Sequence, residues 1–364
     1  MADWVDTLRP YQLFGGMTTE SESRPEILFE TRGVVGLIIL NRPKALNALT
    51  LGMMTAMRAQ LAVWADDPAV ESVVIRGAGE RAFCAGADIR AIRQSGLDGT
   101  SYAVEFFREE YRLNAAIKHY PKPYIALIHG ICMGGGMGLS VHGTYRIAGS
   151  SAVFAMPETG IGFFPDVGGS YFLGHAPGQI GLYLGLSGER LNARDALYAR
   201  LATHWVPSDA WPVLTNALEQ GEDPRDVAME LGLRPQSSPL SDRCAKIDRI
   251  FRATSVEDIL TLLDRDDKEW SHELAALMHS RSPTSLKLAY SQIRTGSMLE
   301  FDDCMTMEFR IASRILKGHD FYEGVRAVLI DKDNAPRWQP ATLADVADGD
   351  IQAYFAPLDD ELAL

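Results

Sequence analysis

Two carboxylates, Glu158 and Asp166, lie in a segment that is otherwise apolar and rich in glycine and proline. Each follows a proline, and Phe163 and Phe164 lie between them. A carboxyl group in apolar surroundings has a raised pKa, because burial disfavours its charged form. Such a group suits acid–base or nucleophilic catalysis. Either acid alone could instead cap a helix or pair with an arginine, but two acids beside a glycine turn favour a functional site.

The glycine turn is Gly134–Gly136, which follows the apolar run Tyr124–Ile128 and precedes a helix-like segment. Glycine lets backbone amides approach a ligand closely, and a helix N-terminus adds N–H donors, so the turn could hold an oxyanion. The triplet has neither the spacing of a dinucleotide-binding GxGxxG nor the GK[ST] of a phosphate loop. By itself it is explained better by a tight turn and close packing of a helix on a strand.

A second turn of small residues, Ala85–Ala87, follows a different strand. Two such turns could each aim one amide at a common point, which is the geometry of an oxyanion hole. Simple packing is the alternative. Arg42 and Lys44 follow another strand end and could meet an anionic ligand, or they could be solvated surface residues.

Other polar residues have simpler explanations. Glu109 and Glu110 lie on a predicted helix, where charged side chains usually face solvent. His129 and His142 have no partner acid or nucleophile placed to form a triad, which favours structural roles. Ser140 lacks the GxSxG turn of a hydrolase nucleophile.

Composition excludes several classes of function. The net charge of −13 argues against duplex nucleic acid as a partner, because phosphate binding needs a basic surface. No apolar run is long enough to span a bilayer, so a membrane protein is not expected. The cysteines are scattered without CxxC spacing, which predicts free thiols and no metal site: Cys84, Cys132, Cys244 and Cys304.

The first residues include Asp3 and Asp6 and no basic stretch before an apolar core. This pattern is typical neither of a secretory signal nor of an Arg-rich transit peptide. Together with the free cysteines it predicts a cytoplasmic protein.

Strand and helix patterns alternate through the first half of the chain, which predicts an α/β fold with a core sheet. After about residue 178 the strand signals fade, and helices are predicted at 178–200, 211–231, 241–264, 268–280, 283–294 and 299–317. We therefore divide the chain into an N-terminal arm (1–24), an α/β core that carries the active site (25–218) and a helical C-terminal region (219–364).

Four motifs, in this order, resemble the enoyl-CoA hydratase/isomerase (crotonase) superfamily: NRPKALNAL, FCAGADI, HGICMGGGMGLS and FAMPETGIGFFPDVGG. The resemblance extends from about Phe29 to Phe355. It implies a crotonase-like spiral of ββα units followed by a mostly helical C-terminal region. It also implies an acyl-CoA as the ligand and no cofactor, since coenzyme A is part of the substrate. A homo-oligomer is left open.

The resemblance also implies roles for individual residues. The backbone N–H groups of Ala87 and Gly135 would form the oxyanion hole. Glu158 and Asp166 would be the catalytic acids, and Glu110 would join them and Gly135 in contacting the substrate. The implied coenzyme A contacts are Lys44, Ala45, Leu46, Ala85, Asp88, Ile89 and Arg90.

One position separates the reactions of the superfamily. Its hydratases carry a second catalytic Glu three residues after the oxyanion glycine, where this chain has Gly138. The resemblance therefore implies hydrolysis of a thioester, with 3-hydroxyisobutyryl-CoA, an intermediate of valine degradation, as the expected substrate. Glu158 would act as nucleophile or general base, and Asp166 would bind the substrate hydroxyl. The alternatives are a hydratase or isomerase of the same fold and a non-catalytic acyl-CoA-binding member.

Overall fold

The computed structural model describes residues 25–234 and 237–364. The N-terminal arm predicted at 1–24 lies outside the described residues. The strands are β1 (Ile27–Arg32), β2 (Val35–Leu40), β3 (Ser72–Gly77), β4 (Ala82–Cys84), β5 (Tyr124–Ile128), β6 (Ile131–Met133), β7 (Tyr145–Ala148), β8 (Val153–Ala155), β9 (Leu191–Asn192) and β10 (His204–Trp205).

The helices of the first half are α1 (Leu51–Asp66), α2 (Ile89–Leu97), α3 (Tyr102–Lys118), α4 (Gly135–Ser140), α5 (Gly169–Gly174), α6 (Ile180–Ser187) and α7 (Ala193–Tyr198). Those of the second half are α8 (Trp211–Glu219), α9 (Pro224–Leu231), α10 (Pro239–Phe251), α11 (Val256–Asp264), α12 (Glu269–His279), α13 (Pro283–Gly296), α14 (Phe301–Ile315), α15 (Asp320–Val325) and α16 (Asp348–Phe355). Short 3-10 helices lie at Pro43–Ala45, Glu158–Ile161, Ser208–Ala210 and Leu343–Asp345, and a π-helical turn at Arg326–Ile330. Across these described parts no helix combines the length and the apolar character that crossing a membrane requires.

The strands form two sheets. The larger has the order β1-β2-β3-β5-β7-β10, in which β1 runs antiparallel to β2 and the other neighbours are parallel. The smaller has the order β4-β6-β8-β9 and is parallel except between β8 and β9. Each of β3, β5 and β7 belongs to the larger sheet, and the strand that follows it belongs to the smaller. This repeated winding confirms the predicted α/β class and its spiral.

Strand β2 illustrates why the sequence buries both faces of the larger sheet. Ile38 and Leu40 point into the main core, which helices α1 and α3 share. Leu37 and Ile39 point to the opposite face, where α8 and α9 cover them. A strand with two covered faces has a continuous apolar run rather than an alternating one. The predicted hairpin of β1 and β2 is confirmed.

Local capping explains several helix starts. The side chain of Thr50 accepts a hydrogen bond from the Met53 amide at 3.3 Å and starts α1, as predicted. Helix α13 starts at Pro283, and the Ser282 hydroxyl accepts from the Ser285 amide at 3.1 Å.

The prediction of one helix over 178–200 is wrong. Two helices, α6 and α7, occupy this range, and β9 lies between them. The sequence patterns also miss strand β10, since strands of two residues have no periodicity that a sequence pattern could reveal.

Helix α15 of the C-terminal region packs against the 3-10 turn Glu158–Ile161, which carries one of the predicted catalytic acids. The two backbones meet through glycine. A Cβ on Gly162 would lie 2.2 Å from the Asp320 carbonyl oxygen, and a Cβ on Gly324 would lie 2.4 Å from the Ile161 carbonyl carbon. Any side chain at either position would push the helix and the turn apart.

Replacing Gly324 with Ala should therefore lower the free energy of unfolding by about 1–3 kcal/mol. It should also lower turnover by about 100-fold, because a displacement of about 1 Å in a catalytic group costs that much. Urea denaturation and steady-state kinetics would measure both. Gly349→Ala on α16 is the matched control, since nothing lies within 4 Å of the added Cβ there. Equal behaviour of the two variants would show that this contact does not position the turn.

Candidate active site

The predicted site residues follow the carboxyl ends of three neighbouring parallel strands. Ala87 comes after β4, Gly135 after β6 and Glu158 after β8, and these strands are adjacent in the smaller sheet. Carboxyl ends of parallel strands meet at one edge of a sheet, which is where ligands of open α/β sheets bind. This topology brings together residues that are far apart in the sequence.

The turn that contains Ala87 leaves its amide without a backbone partner. The Leu49 amide donates to the Gly86 carbonyl at 2.8 Å, and the Asp88 amide donates to the Leu49 carbonyl at 2.9 Å. Among the residues that the structure describes, no backbone carbonyl accepts from the Ala87 N–H between them. Gly86 has a φ of +102°, which only glycine adopts without strain.

Gly135 begins α4, so its amide has no partner within the helix. A Cβ on Gly135 would lie 3.4 Å from the Ala87 nitrogen. The two amides therefore lie side by side. This placement brings the two small turns together, as an oxyanion hole would require, and the role of the two amides stays a prediction.

Two carboxyl groups lie close to the glycines of this turn, so that a side chain there would displace them. A Cβ on Gly135 would lie 2.5 Å from Oε1 of Glu110, and a Cβ on Gly134 would lie 2.8 Å from Oε1 of Glu158. Both acids are buried. Within the described ranges, Oε1 of Glu110 and Oε2 of Glu158 have no hydrogen-bond partner. Each acid thus keeps an oxygen available for a substrate.

Asp166 is the third buried acid, and it is held by a tyrosine. The Tyr111 hydroxyl donates to Oδ2 of Asp166 at 2.9 Å, and both side chains are buried. Tyr111 follows Glu110 directly on α3, so one helix supplies both an acid and the group that orients another acid.

Burial raises the pKa of all three acids, and repulsion from neighbouring acids adds to the rise for Glu110 and Glu158. For Glu110 the pKa rises well above the usual range, because burial and then the charges of Asp166 and Glu158 disfavour ionisation. Burial and the charge of Asp166 raise the pKa of Glu158 in the same way. Burial raises the pKa of Asp166 to about 7, and the hydrogen bond from Tyr111 limits the rise. The cluster therefore holds protons in a pH range where exposed carboxyl groups have lost them.

The loop after Asp166 is fixed in a strained conformation. Val167 has a φ of +52°, which is unfavourable for a β-branched residue. Nε2 of His142 donates to its carbonyl at 2.7 Å, and burial lowers the pKa of this imidazole to about 3, so it is neutral. Two oxygens of buried Glu308 accept from the Gly168 and Ser170 amides at 2.7 and 2.9 Å. These bonds over-determine the loop and so fix the direction of Asp166.

The positions expected to contact coenzyme A lie on two segments that are hydrogen-bonded to each other. The Ala85 amide donates to the Leu46 carbonyl at 3.0 Å and joins the two segments that carry these positions. Asp88 forms an ion pair with Arg42 at 3.1 Å. Nη2 of Arg90 donates to the Leu329 carbonyl of the C-terminal region at 2.9 Å. Lys44, Ala45 and Arg90 are exposed, and Ile89 is half-buried. Their contact with coenzyme A stays a prediction.

The expectation that Glu109 and Glu110 face solvent is wrong. Both are buried: Glu109 forms an ion pair with Arg58 at 2.7 Å, and Glu110 points at the glycine turn. Sequence reasoning also missed Tyr111 and Glu308. A tyrosine one position from a buried acid has no distinctive spacing, and Glu308 reaches the loop from far along the chain.

The fold and the residues at this edge of the smaller sheet indicate the class of protein to which the chain belongs. The chain matches the family model described as enoyl-CoA hydratase/isomerase over residues 35–355, and it belongs to that family. Within it, the chain is 47% identical to the mitochondrial 3-hydroxyisobutyryl-CoA hydrolase of Danio rerio, over 96% of this chain and 94% of that protein. It is 44% identical to the Homo sapiens protein of the same name, over 94% of this chain and 91% of that protein.

A solved structure titled carnitinyl-CoA dehydratase, from Mycobacterium thermoresistibile, is also similar. Its TM-score is 0.90 at 41% identity, and the alignment covers 93% of this chain and 99% of that chain. This similarity confirms the crotonase fold. The hydrolase and dehydratase names state different reactions. The residues of the site are therefore needed to choose between the two reactions.

The predicted cytoplasmic location is wrong by this comparison, because the relatives are named as mitochondrial proteins. The prediction depended on free cysteines and on the composition of the first residues. Free cysteines indicate a reducing environment, which is not unique to the cytosol, so they could not identify the compartment.

Replacing Glu110 with Gln should stabilise the protein, and more at pH 8 than at pH 6. Because the pKa of Glu110 is raised in the folded state, the folded protein binds more protons than the unfolded one between the two pKa values. Stability is therefore lost as pH rises through this window. Glutamine cannot ionise, so the variant does not lose this stability. The loss is about 1.4 kcal/mol for each unit by which folding raises the pKa of Glu110.

Urea denaturation of wild type and variant from pH 5 to pH 8 would measure this difference. Glu109→Gln is the matched control, because its carboxylate is paired with Arg58 and its loss should destabilise. A stability difference for Glu110→Gln that does not grow with pH would contradict the buried, repelled state of this acid.

Proposed function

We propose that this protein hydrolyses 3-hydroxyisobutyryl-CoA to 3-hydroxyisobutyrate and coenzyme A. The observation that carries the proposal is the pair of free amides at Ala87 and Gly135, which border Glu158 while position 138 has no side chain. The names of relatives at 44–47% identity support the same reaction. No cofactor is required, since coenzyme A arrives as part of the substrate.

The first step is activation of the thioester. The carbonyl oxygen accepts from the Ala87 and Gly135 amides, and these amides stabilise the negative charge that develops on it during attack. Each such donor contributes about 3–4 kcal/mol in enzymes where one has been removed. Both amides are preorganised by the turn and by the start of α4, so no reorganisation is needed during the reaction.

The second step is attack at the carbonyl carbon, and Glu158 has two ways to bring it about. Its carboxylate can attack, so that the C–S bond breaks, coenzyme A leaves as thiolate and takes a proton, and water hydrolyses the mixed anhydride. Alternatively, the carboxylate removes a proton from a water molecule that attacks in its place. The raised pKa of Glu158 makes it a stronger base and nucleophile than an exposed carboxylate.

Asp166 would select the substrate by binding its β-hydroxyl. One oxygen of Asp166 is occupied by Tyr111, which leaves the other to accept a hydrogen bond from a hydroxyl. A buried polar group that is matched to a hydroxyl discriminates strongly against substrates that lack one.

Hydration of an enoyl-CoA is the competing function, because similar structures are titled dehydratase and hydratase. In the crotonase hydratases a second glutamate would occupy position 138. Here a Cβ at Gly138 would lie 2.7 Å from the Cβ of Val167 and 2.8 Å from Nδ2 of Asn114. The space for that side chain is filled, which favours hydrolysis. Release of free thiol from 3-hydroxyisobutyryl-CoA tests hydrolysis, and loss of the conjugated enoyl absorbance of crotonyl-CoA tests hydration.

Glu158→Gln should lose at least about 1,000-fold in kcat while still binding the acyl-CoA, because the amide keeps the shape and loses the basicity. Thiol-release kinetics and isothermal titration would measure the two effects. Glu222→Gln, an exposed acid away from the site, is the control. Near wild-type turnover by Glu158→Gln would remove Glu158 from the mechanism.

Single-turnover hydrolysis in oxygen-18 water would separate the two routes for Glu158. Label that enters the Glu158 carboxyl group, detected by mass spectrometry of its peptide, would establish an anhydride that water opens at the glutamyl carbon, whereas label in the product alone would exclude that route and show that water attacks the acyl carbon.

Asp166→Asn should reduce the preference for 3-hydroxyisobutyryl-CoA over isobutyryl-CoA by about 10-fold or more, since the neutral amide is a weaker acceptor for the hydroxyl. The ratio of kcat/KM for the two thioesters is the measurement. An unchanged ratio would show that Asp166 does not recognise the hydroxyl.

A further inference from the structure

Asn114 is a buried polar residue for which the proposed mechanism gives no role. It lies on α3 and is fully buried. Neither Nδ2 nor Oδ1 has a hydrogen-bond partner among residues 25–234 and 237–364. A buried amide without partners is costly, and such groups are uncommon unless a ligand or a water satisfies them. The carboxamide of Asn114 is therefore available to bind a polar group of the substrate.

The position of Asn114 relates it directly to the site. It follows Glu110 by four residues on α3, so the two side chains project from the same face of the helix. Nδ2 of Asn114 lies 2.8 Å from the point where a Cβ of Gly138 would be, and the Cβ of Val167 lies 2.7 Å from the same point. The carboxamide is thus located between α4 and the loop that carries Asp166.

The distance from the oxyanion hole matches the acyl group. Glu110 lies against Gly135, and Asn114 lies against Gly138, so the carboxamide is about one helical turn, roughly 5 Å, deeper along both helices. In a 3-hydroxyacyl thioester the hydroxyl oxygen is three bonds from the carbonyl carbon. With the carbonyl held at Gly135, an acyl group that extends along α4 brings its hydroxyl to the level of Asn114.

The oxygen of the substrate hydroxyl can also accept a hydrogen bond, and this calls for a donor beside it. A hydroxyl donates one hydrogen bond and accepts others, whereas an ionised carboxylate can only accept. The Tyr111 hydroxyl already donates to Asp166. The N–H groups of the Asn114 carboxamide have no partner among the described residues. They can donate to the hydroxyl oxygen while a carboxylate accepts a hydrogen bond from the hydroxyl.

We propose that Asn114 is a specificity-determining residue. Its Nδ2 donates a hydrogen bond to the β-hydroxyl oxygen of the acyl group, and Asp166 accepts a hydrogen bond from the same hydroxyl. The inference rests on the proposed hydrolysis of a 3-hydroxyacyl thioester and adds the donor that this substrate needs. It makes recognition of the hydroxyl a two-sided contact, with the donor on α3 and the acceptor on the loop after β8.

The test compares 3-hydroxyisobutyryl-CoA with isobutyryl-CoA, which lacks only the hydroxyl, in wild type, Asn114→Leu and Asn114→Ala. Leucine keeps the branching at Cγ and has no polar atoms, and alanine removes the carboxamide without adding bulk. Both variants should lower kcat/KM for the hydroxylated thioester by about 10- to 100-fold and leave kcat/KM for isobutyryl-CoA within about 3-fold of wild type. Thermal unfolding of both variants gives an independent measure of folding.

The possible results have distinct meanings. An equal loss on both thioesters would overturn the proposal and assign Asn114 to the attacking water or to the packing of α3. An unchanged selectivity in a folded Asn114→Ala variant would overturn it as well. Wild-type protein that hydrolyses neither thioester would instead contradict the proposed function, independently of the variants.

Discussion

Three carboxyl groups lie close together away from water, and the elements around them have to offset the cost of burying these acids. Glu110, Glu158 and Asp166 come from a helix, a 3-10 turn and a loop, and the charge of Asp166 raises the cost of ionising both Glu110 and Glu158. Backbone amides at Ala87 and Gly135, rather than cationic side chains, face this cluster. In the proposed mechanism these amides stabilise a transient oxyanion without permanently neutralising the acids. The acids would then keep their basicity for the reaction, and the hydrophobic core offsets the cost in folding free energy.

The C-terminal helices hold parts of the site in place. Glu308 on α14 fixes the loop after Asp166 through two backbone amides, although 140 residues separate it from Gly168. Burial raises the pKa of Glu308 to about 8, which its hydrogen bonds oppose. Helix α15 supports the turn that carries Glu158. Chemistry that occurs at the edge of the small sheet thus depends on packing from the second half of the chain.

The sequence predicted the parts of the site that depend on local chemistry. Glycine turns after apolar strands left an oxyanion hole and simple packing both open, and the resemblance to the crotonase superfamily implied Ala87 and Gly135. Parallel pairing of β4 with β6 explains why the two turns meet. Glu110 was expected to face solvent, because helical charges usually do and a single chain does not reveal which face another helix covers. The positive φ of Val167 and its contacts with His142 have no local signal either. Such features arise from packing between distant segments, which residue spacing does not encode.

The close contact between Gly138 and Val167 also restricts how this active site could change its chemistry. A glutamate at position 138 would overlap the Val167 side chain, and the Val167 carbonyl and the following amide are held by His142 and Glu308. A new acid at 138 therefore needs a smaller residue at 167 at the same time. Either change alone leaves a clash or a void. We expect thioester hydrolysis and double-bond hydration on this scaffold to be separated by at least two coupled substitutions, so that neither activity is a single mutational step from the other.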